Sequence, residues 1–232
     1  MVIETILFDL DDTLIAEMDW ARGGWALVAE HLAPGSGRER AELEQMMGGF
    51  FVRDRRHVFD QLAGALGLDS AALDECIELY RHSPRPLALL PDAVAALRFA
   101  AGRRTGIVTD GDVVTQSTKV DCAGVAAHVE VIVYTGALGA GQGKPSPAGF
   151  REALRALKTG PAGAIYVADN AAKDVIGPRR LGMRTVQITR PGGVYAGVPA
   201  PAGGEPDALV GSLEELASVV RRWERERPAA AS

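Results

Sequence analysis

Cysteine is nearly absent: the 232 residues contain only Cys76 and Cys122. Two cysteines this far apart make no disulfide framework, and in their apolar, helix-patterned surroundings both read as reduced, packed thiols rather than metal ligands. Long hydrophobic runs are missing too. None approaches the roughly 18–20 residues that span a bilayer, which excludes a transmembrane helix. The opening MVIETILFDLDD has no basic region and turns acidic before a signal-peptide core can form, so a cytoplasmic location is expected. Neither sign of charge dominates. With 25 Lys and Arg against 30 Asp and Glu, net −5, there is no electrostatic reason to expect binding to nucleic acid or a membrane surface. Internal repeats are absent. A chain of this length with 47% hydrophobic residues can bury one large core, or a core with a sizeable insertion.

Short apolar runs recur along the chain: VIETILF at 2–8, TGIVT at Thr105–Thr109, VEVIVY at Val129–Tyr134, AIYVA at Ala164–Ala168, RTVQI at Arg184–Ile188, and a last one at 208–210. Each has the length of a buried strand. Helical patterns separate them. Pro91-Asp92 opens one that carries Val94, Leu97 and Ala101 and stops at Gly102. Phe150, Leu154 and Leu157 mark another. Ser212 and Glu215 form a capping box ahead of Leu213, Leu216, Val219, Val220 and Trp223. Strands alternating with helices predict an α/β fold, a Rossmann-like, doubly wound, mostly parallel sheet. The core is assigned to 1–14 and 90–225. Residues 15–89 contain no strand pattern but have helical periods at Val58, Leu62, Leu66 and at Leu73, Cys76, Ile77, Tyr80, so they read as an inserted helical cap. Residues 226–232 read as a frayed tail.

Four chemical features follow four of the predicted strands: Asp9, Asp11 and Thr13; Thr109, Asp110 and Gly111; Lys144 before Pro145; and Asp169, Asn170 and Asp174. A parallel sheet gathers such ends at one edge, where ligands bind. The set fits phosphoryl transfer, which needs a nucleophile, charge neutralisation and a proton for the leaving group. Asp9 can attack as a carboxylate. Asp11, two residues on, can protonate the leaving oxygen and later activate water. Asp9 and Asp169, with an oxygen of Asp11 such as its backbone carbonyl, offer hard ligands for Mg²⁺. Lys144 supplies fixed positive charge. Thr109, Thr13 and the backbone N–H groups near Leu10 and Asp110 can hydrogen-bond phosphoryl oxygens. Asp174 is better placed to orient Lys144 or a metal-bound water than to ligate. Asn170 suits either a helix cap or the edge of the site.

In order and spacing these motifs resemble the haloacid dehalogenase superfamily, and within it the phosphatase branch. Its Asp-x-Asp-x-Thr is matched by Asp9 to Thr13, its strand-terminal Thr by Thr109, its Lys by Lys144-Pro145, and its final acidic motif by Ala168-Asp169 through Asp174. The resemblance covers about residues 2 to 190. It implies a Rossmann-like core, a helical cap inserted after the first motif, and Mg²⁺-dependent hydrolysis of a small phosphate ester by a monomer or homodimer. Val-Thr-Asp-Gly, Lys-Pro-Ser-Pro and Asp-Asn-x-x-Lys-Asp are similar to the subgroup of nucleotide and sugar-phosphate phosphatases. Two residues depart from the pattern. Ala168 stands where Gly is usual. Asp110 stands where Asn is common, and its carboxylate is expected to be paired or turned away from phosphate.

Several rivals share parts of this pattern. A dehalogenase cleaving carbon–halogen bonds has no oxygen leaving group to protonate, and that branch lacks the second aspartate, so Asp11 counts against it. A phosphotransferase or mutase uses the same residues with a second acceptor in place of water. A signalling receiver domain is about half as long and has no insertion. A non-catalytic binding member would not need Asp9, Asp11, Lys144 and Asp169 intact. In the insertion, the cluster Arg53, Arg55, Arg56, His57 and then Arg81, His82, Arg85 reads as a solvated face, with contact to an anionic substrate as the alternative. Trp20 and Trp25 read as packing residues. The Pro191–Tyr195 loop carries no assignment, and nothing in the sequence names the substrate.

Overall fold

The computed structural model describes residues 2–226; past Glu226, the expected tail lies outside them. The chain divides into two compact units, Met1–Glu17 with Ala88–Ser232, and Met18–Leu87.

In the first unit six parallel strands form one sheet: β1 (Thr5–Phe8), β2 (Arg104–Thr109), β3 (Val131–Tyr134), β4 (Ala164–Ala168), β5 (Arg184–Ile188) and β6 (Ala208–Val210). Their order is β3-β2-β1-β4-β5-β6. Every residue of β1 and β4 is buried, as expected of strands covered on both faces. The sequence reading therefore finds the strands but overruns their starts: the 2–8 run joins the ladder only from Thr5, and the 129–134 run only from Val131. Glu4 leaves the strand pattern but is tied to the sheet by its backbone, its N–H donating to Gly163 O at 2.8 Å.

The second unit holds α1 (Glu17–Ser36, its first residue in the sheet unit), α2 (Arg40–Asp54), α3 (Val58–Leu66) and α4 (Ser70–His82). Around the sheet lie α5 (Pro91–Ala100), α6 (Val113–Ala123), α7 (Ala148–Leu157), α8 (Ala171–Asp174), α9 (Ile176–Leu181) and α10 (Leu216–Arg225). The capping box expected at Ser212 and Glu215 is present and starts the turn leading into α10. On α7, Phe150, Ala153, Leu154 and Leu157 face the sheet and pack with Leu7, Val108 and Tyr166. Phe150 meets Tyr166 edge to face, centroids 4.7 Å apart. Each such buried side chain contributes roughly 1.5–3 kcal/mol of hydrophobic stabilisation. Among the described residues no helix is long and apolar enough to cross a membrane.

The helical unit has its own core, in which Trp25, Val28, Leu43, Met47, Leu62 and Cys76 are buried together. Trp20 is buried as well, in keeping with a packing role for both tryptophans. Arg85 departs from its expected place on a solvated face. It is 7% exposed, its guanidinium lies 3.3 Å from the Trp20 ring centroid, and it donates to the carbonyls of Trp20 (3.1 Å), Ser83 (3.1 Å) and Tyr80 (2.7 Å). A buried guanidinium is tolerated because backbone carbonyls replace its water. Gly24 makes room for it, since a Cβ there would stand 2.9 Å from Arg85 Nη2 and 2.5 Å from Tyr80 Cδ2.

Candidate active site

The chain runs outward from β1 through β2 to β3, then returns to β4 on the other side of β1. The carboxyl ends of β1 and β4 therefore flank the point where strand order switches, the place where open parallel sheets bind ligands. Asp9 follows β1 and Asp169 follows β4. Phe8 and Val167 are register partners, and the Asp9 N–H donates to Val167 O at 2.9 Å.

Lys144 joins the acids. Its ammonium lies 2.9 Å from Asp9 Oδ1 and 2.7 Å from Asp174 Oδ1, and donates to Tyr166 Oη at 3.1 Å. The Tyr166 hydroxyl donates onward to Val108 O at 2.9 Å. Burial would lower the lysine pKa, but Asp174 and Asp9 outweigh it and hold Lys144 protonated well above its usual value. Asp174 thus orients Lys144. It also accepts from the Asn170 N–H at 3.2 Å, while Asn170 Oδ1 caps α8 by accepting from the Ala172 N–H at 3.1 Å. Of the two readings open for Asn170, the cap is the one its side chain fulfils.

The Asp9, Asp169 and Asp174 carboxylates each bring an oxygen within 4.8 Å of the others. Burial, then the Lys144 and Asp174 charges pulling in opposite directions, leaves Asp9 raised to about 7. Burial and the charges of Asp9, Asp174 and Asp12 push Asp169 up to about 9. Among the described residues no cation forms an ion pair with Asp169. Three buried carboxyl groups face one ammonium, so the acids outnumber the cation, and all their donors are hard oxygens. This donor set fits a divalent cation such as Mg²⁺. The side chain of Asp11 is not in the group.

Asp11 is held on another side. Both of its oxygens accept from Lys119 Nζ, at 2.7 and 2.9 Å, and Oδ2 also accepts from Gln116 Nε2 at 3.0 Å. Gln116 donates to Thr109 Oγ1 at 2.5 Å as well. Asp110 is paired, as its position requires: Oδ1 accepts from the Thr135 hydroxyl and from the Lys144 N–H, and Oδ2 lies 3.4 Å from Lys173 Nζ. Burial would raise its pKa, yet these donors and the nearby lysines hold it below the usual value. The contact also anchors the loop that carries Lys144. Gly143 is required there, because a Cβ would lie 2.7 Å from Asp110 Oδ1.

One residue expected at the phosphate is placed differently. Thr13 is fully buried, with its hydroxyl closed off from solvent, and its carbonyl accepts from Arg190 Nη2 at 2.8 Å; it fixes the loop instead of facing a ligand. The Leu10 side chain lies in the core, leaving only its backbone to consider. Arg190, two residues past β5, also donates to Asp12 O and makes a two-pronged pair with Asp92. Asp12, in the left-handed region at φ 48°, accepts from the N–H groups of Glu17 (2.9 Å) and Val194 (2.7 Å). The Pro191–Tyr195 loop thereby acquires a role in holding the first motif.

Sequence reading passed over Tyr166, Gln116, Lys119 and Arg190. A trace of each was there. Tyr166 is the one polar-tipped residue in its strand, Arg190 follows a strand end as the acids do, and Gln116 and Lys119 lie three apart on one face of a helix that Asp112 caps by accepting from the Thr115 N–H.

The family model for haloacid dehalogenase-like hydrolases matches residues 3–182. Glyceraldehyde 3-phosphate phosphatase of Methanopyrus kandleri is 30% identical over 97% of this chain and 100% of its own length. Phosphoserine phosphatase of Thermus thermophilus is 33% identical over 82% of this chain and 72% of its own. Among solved structures, 2-haloacid dehalogenase of Pseudomonas syringae pv. Tomato superimposes with a TM-score of 0.65 at 28% identity, covering 96% of this chain and all of that one.

Proposed function

The chain belongs to the haloacid dehalogenase-like hydrolase family, and from that premise we propose that it is a Mg²⁺-dependent phosphatase of a small phosphorylated metabolite, working through a covalent aspartyl-phosphate on Asp9. The observation that carries this reading is the Asp9 carboxylate held 2.9 Å from Lys144 among three clustered acids. Asp9 attacks the phosphorus and the ester oxygen leaves. Lys144 fixes the nucleophile and opposes charge on the phosphoryl oxygens. Thr109 donates to one of those oxygens. Asp11 gives the leaving oxygen its proton, then takes one from the water that cleaves the acyl-phosphate. Asp9, Asp169 and Asp174 would hold Mg²⁺, with Asp11 able to add only a backbone oxygen. The bound ion would offset the excess negative charge that otherwise repels a phosphate dianion.

The substrates named for the two relatives, glyceraldehyde 3-phosphate and phosphoserine, make three-carbon phosphate monoesters the first to assay. Nucleotides and larger sugar phosphates follow. The helical unit is the proposed cap, and a cytoplasmic location belongs to the same proposal. Dehalogenation, the activity named for the Pseudomonas syringae structure, is disfavoured because a halide leaves without a proton and gives Asp11 no task. Purified protein should release phosphate from 4-nitrophenyl phosphate when Mg²⁺ is present, and Asp9→Asn should abolish the release. Full activity in that variant would sink the proposal.

A further inference from the structure

We propose that Gln116 and Lys119 of α6 are positioning residues that fix Asp11 towards the leaving group and make the Thr109 hydroxyl a donor to the phosphoryl group. The inference rests on the phosphatase reading above and extends it to two residues on a helix outside the four motifs.

Asp11 follows β1 and Thr109 ends β2, on neighbouring strands. One amide nitrogen joins them: Gln116 Nε2 donates to Asp11 Oδ2 at 3.0 Å and to Thr109 Oγ1 at 2.5 Å. Its orientation is forced. The Lys119 ammonium can only donate and contacts both Asp11 oxygens, so Asp11 turns lone pairs to this side whether or not its open edge carries the proton for the leaving group, and only the NH₂ end of the amide can face it. The second N–H of that nitrogen then points to Thr109. A hydroxyl has one hydrogen; once Thr109 Oγ1 accepts from Gln116, that hydrogen is directed away from Gln116 and is free for a phosphoryl oxygen.

Lys119 acts on the other partner. Its side chain is 6% exposed and that of Asp11 is 22% exposed, so the cation is buried behind a carboxylate that still reaches solvent. The two-oxygen contact restricts rotation of the Asp11 carboxyl and keeps its open edge towards incoming substrate. Gln116 and Lys119 lie one helical turn apart on the same face, and both are nearly fully buried, so α6 presents them as a rigid pair.

The test compares leaving groups. Esters with alkyl leaving groups need the proton from Asp11, whereas 4-nitrophenolate leaves with little help. Lys119→Met should lower kcat/KM for the better of glyceraldehyde 3-phosphate and phosphoserine by roughly a hundredfold, and for 4-nitrophenyl phosphate by less than about tenfold. Lys119→Arg, which keeps paired donors, should restore the ratio of the two substrates to within about threefold of wild type. Gln116→Leu should raise the inhibition constant of inorganic phosphate by about tenfold, as the Thr109 donor loses its direction. Equal losses on both esters, or unchanged phosphate inhibition in Gln116→Leu, overturn the proposal while leaving the phosphatase reading intact. If wild-type protein releases no phosphate from any of the esters, both fail. Should Lys119→Met melt well below wild type, the Gln116→Leu inhibition constant decides alone.

Discussion

Mg²⁺ binding should release protons, and Asp169 sets how many. Without the ion its buried carboxyl, surrounded by Asp9, Asp174 and Asp12, keeps its proton up to about 9. A ligating carboxylate must be ionised. At about pH 7.5 that proton lies about 1.5 pH units below its pKa, so removing it costs about 2 kcal/mol, and apparent Mg²⁺ affinity should be about thirtyfold weaker than in strongly alkaline solution. The slope follows from the same stoichiometry. Between about pH 7 and 9, one proton leaves per ion bound, so affinity should rise about tenfold per pH unit and then level off. Below the Asp9 pKa of about 7, a second proton must leave and the dependence should steepen.

Calorimetric titration of MgCl₂ into protein, repeated in buffers of different ionisation enthalpy, counts the protons directly. About one per ion is expected near pH 7.5. Asp169→Asn should remove both the proton release and most of the affinity. Binding that is equally tight across this range, with no proton released, would refute the assignment of Asp169 as a buried, unpaired acid awaiting a cation. The sign is opposite to that of an ordinary ion-paired carboxylate. Because the folded pKa is raised above the usual 3.8, metal-free protein loses stability as pH climbs from about 4 towards 9, and added Mg²⁺ should raise Tm most at the alkaline end.

Arg85→Ala should destabilise the helical unit by about 3–5 kcal/mol, since it removes a stacked guanidinium and its donors to one buried and two part-buried carbonyls; a melting curve resolving two transitions, with the sheet unit unmoved, checks this. Gly143→Ala should lower kcat by at least about tenfold with little change in Tm, because the added methyl pushes Asp110 from the loop that positions Lys144; wild-type kinetics in this variant would show that the Asp110 contact does not place Lys144.

The sheet was readable because its strands are covered on both faces and so carry short, nearly pure apolar runs, as in TILF and AIYVA. Three of the motifs were readable because each stands directly behind such a run; Lys144, ten residues past β3, was readable from its place before Pro145. Residues whose role depends on tertiary packing were not. The Lys119–Asp11 pair spans 108 positions, and only the packing of α6 against the strand ends makes the two neighbours. Arg85 belongs to a run of arginines and histidines that looks solvated; what buries it is a set of backbone carbonyls, which leave no mark in a sequence. Thr13 is a related case: its motif position gives no sign that its hydroxyl is buried while its carbonyl is taken up by Arg190.

These pairings bear on how a chain of net charge −5 can receive a phosphate. Among the described residues at the strand ends, Asp12 accepts from backbone N–H groups and four further aspartates have side-chain partners. Asp11 has Lys119, Asp110 has Thr135 and Lys173, and Asp9 and Asp174 share Lys144. Lys144 is therefore shared between two carboxylates, and its charge alone does not balance both of them and a phosphoryl dianion. Adding another lysine would have satisfied Asp169 as well and closed the site as a neutral, inert cluster. Leaving Asp169 without a cation leaves it to give up its proton to a divalent ion, and under the proposed function that ion's remaining charge would be available to the substrate. On this reasoning phosphate affinity would come from metal loading together with Lys144, which would let an acidic protein bind an acidic ligand.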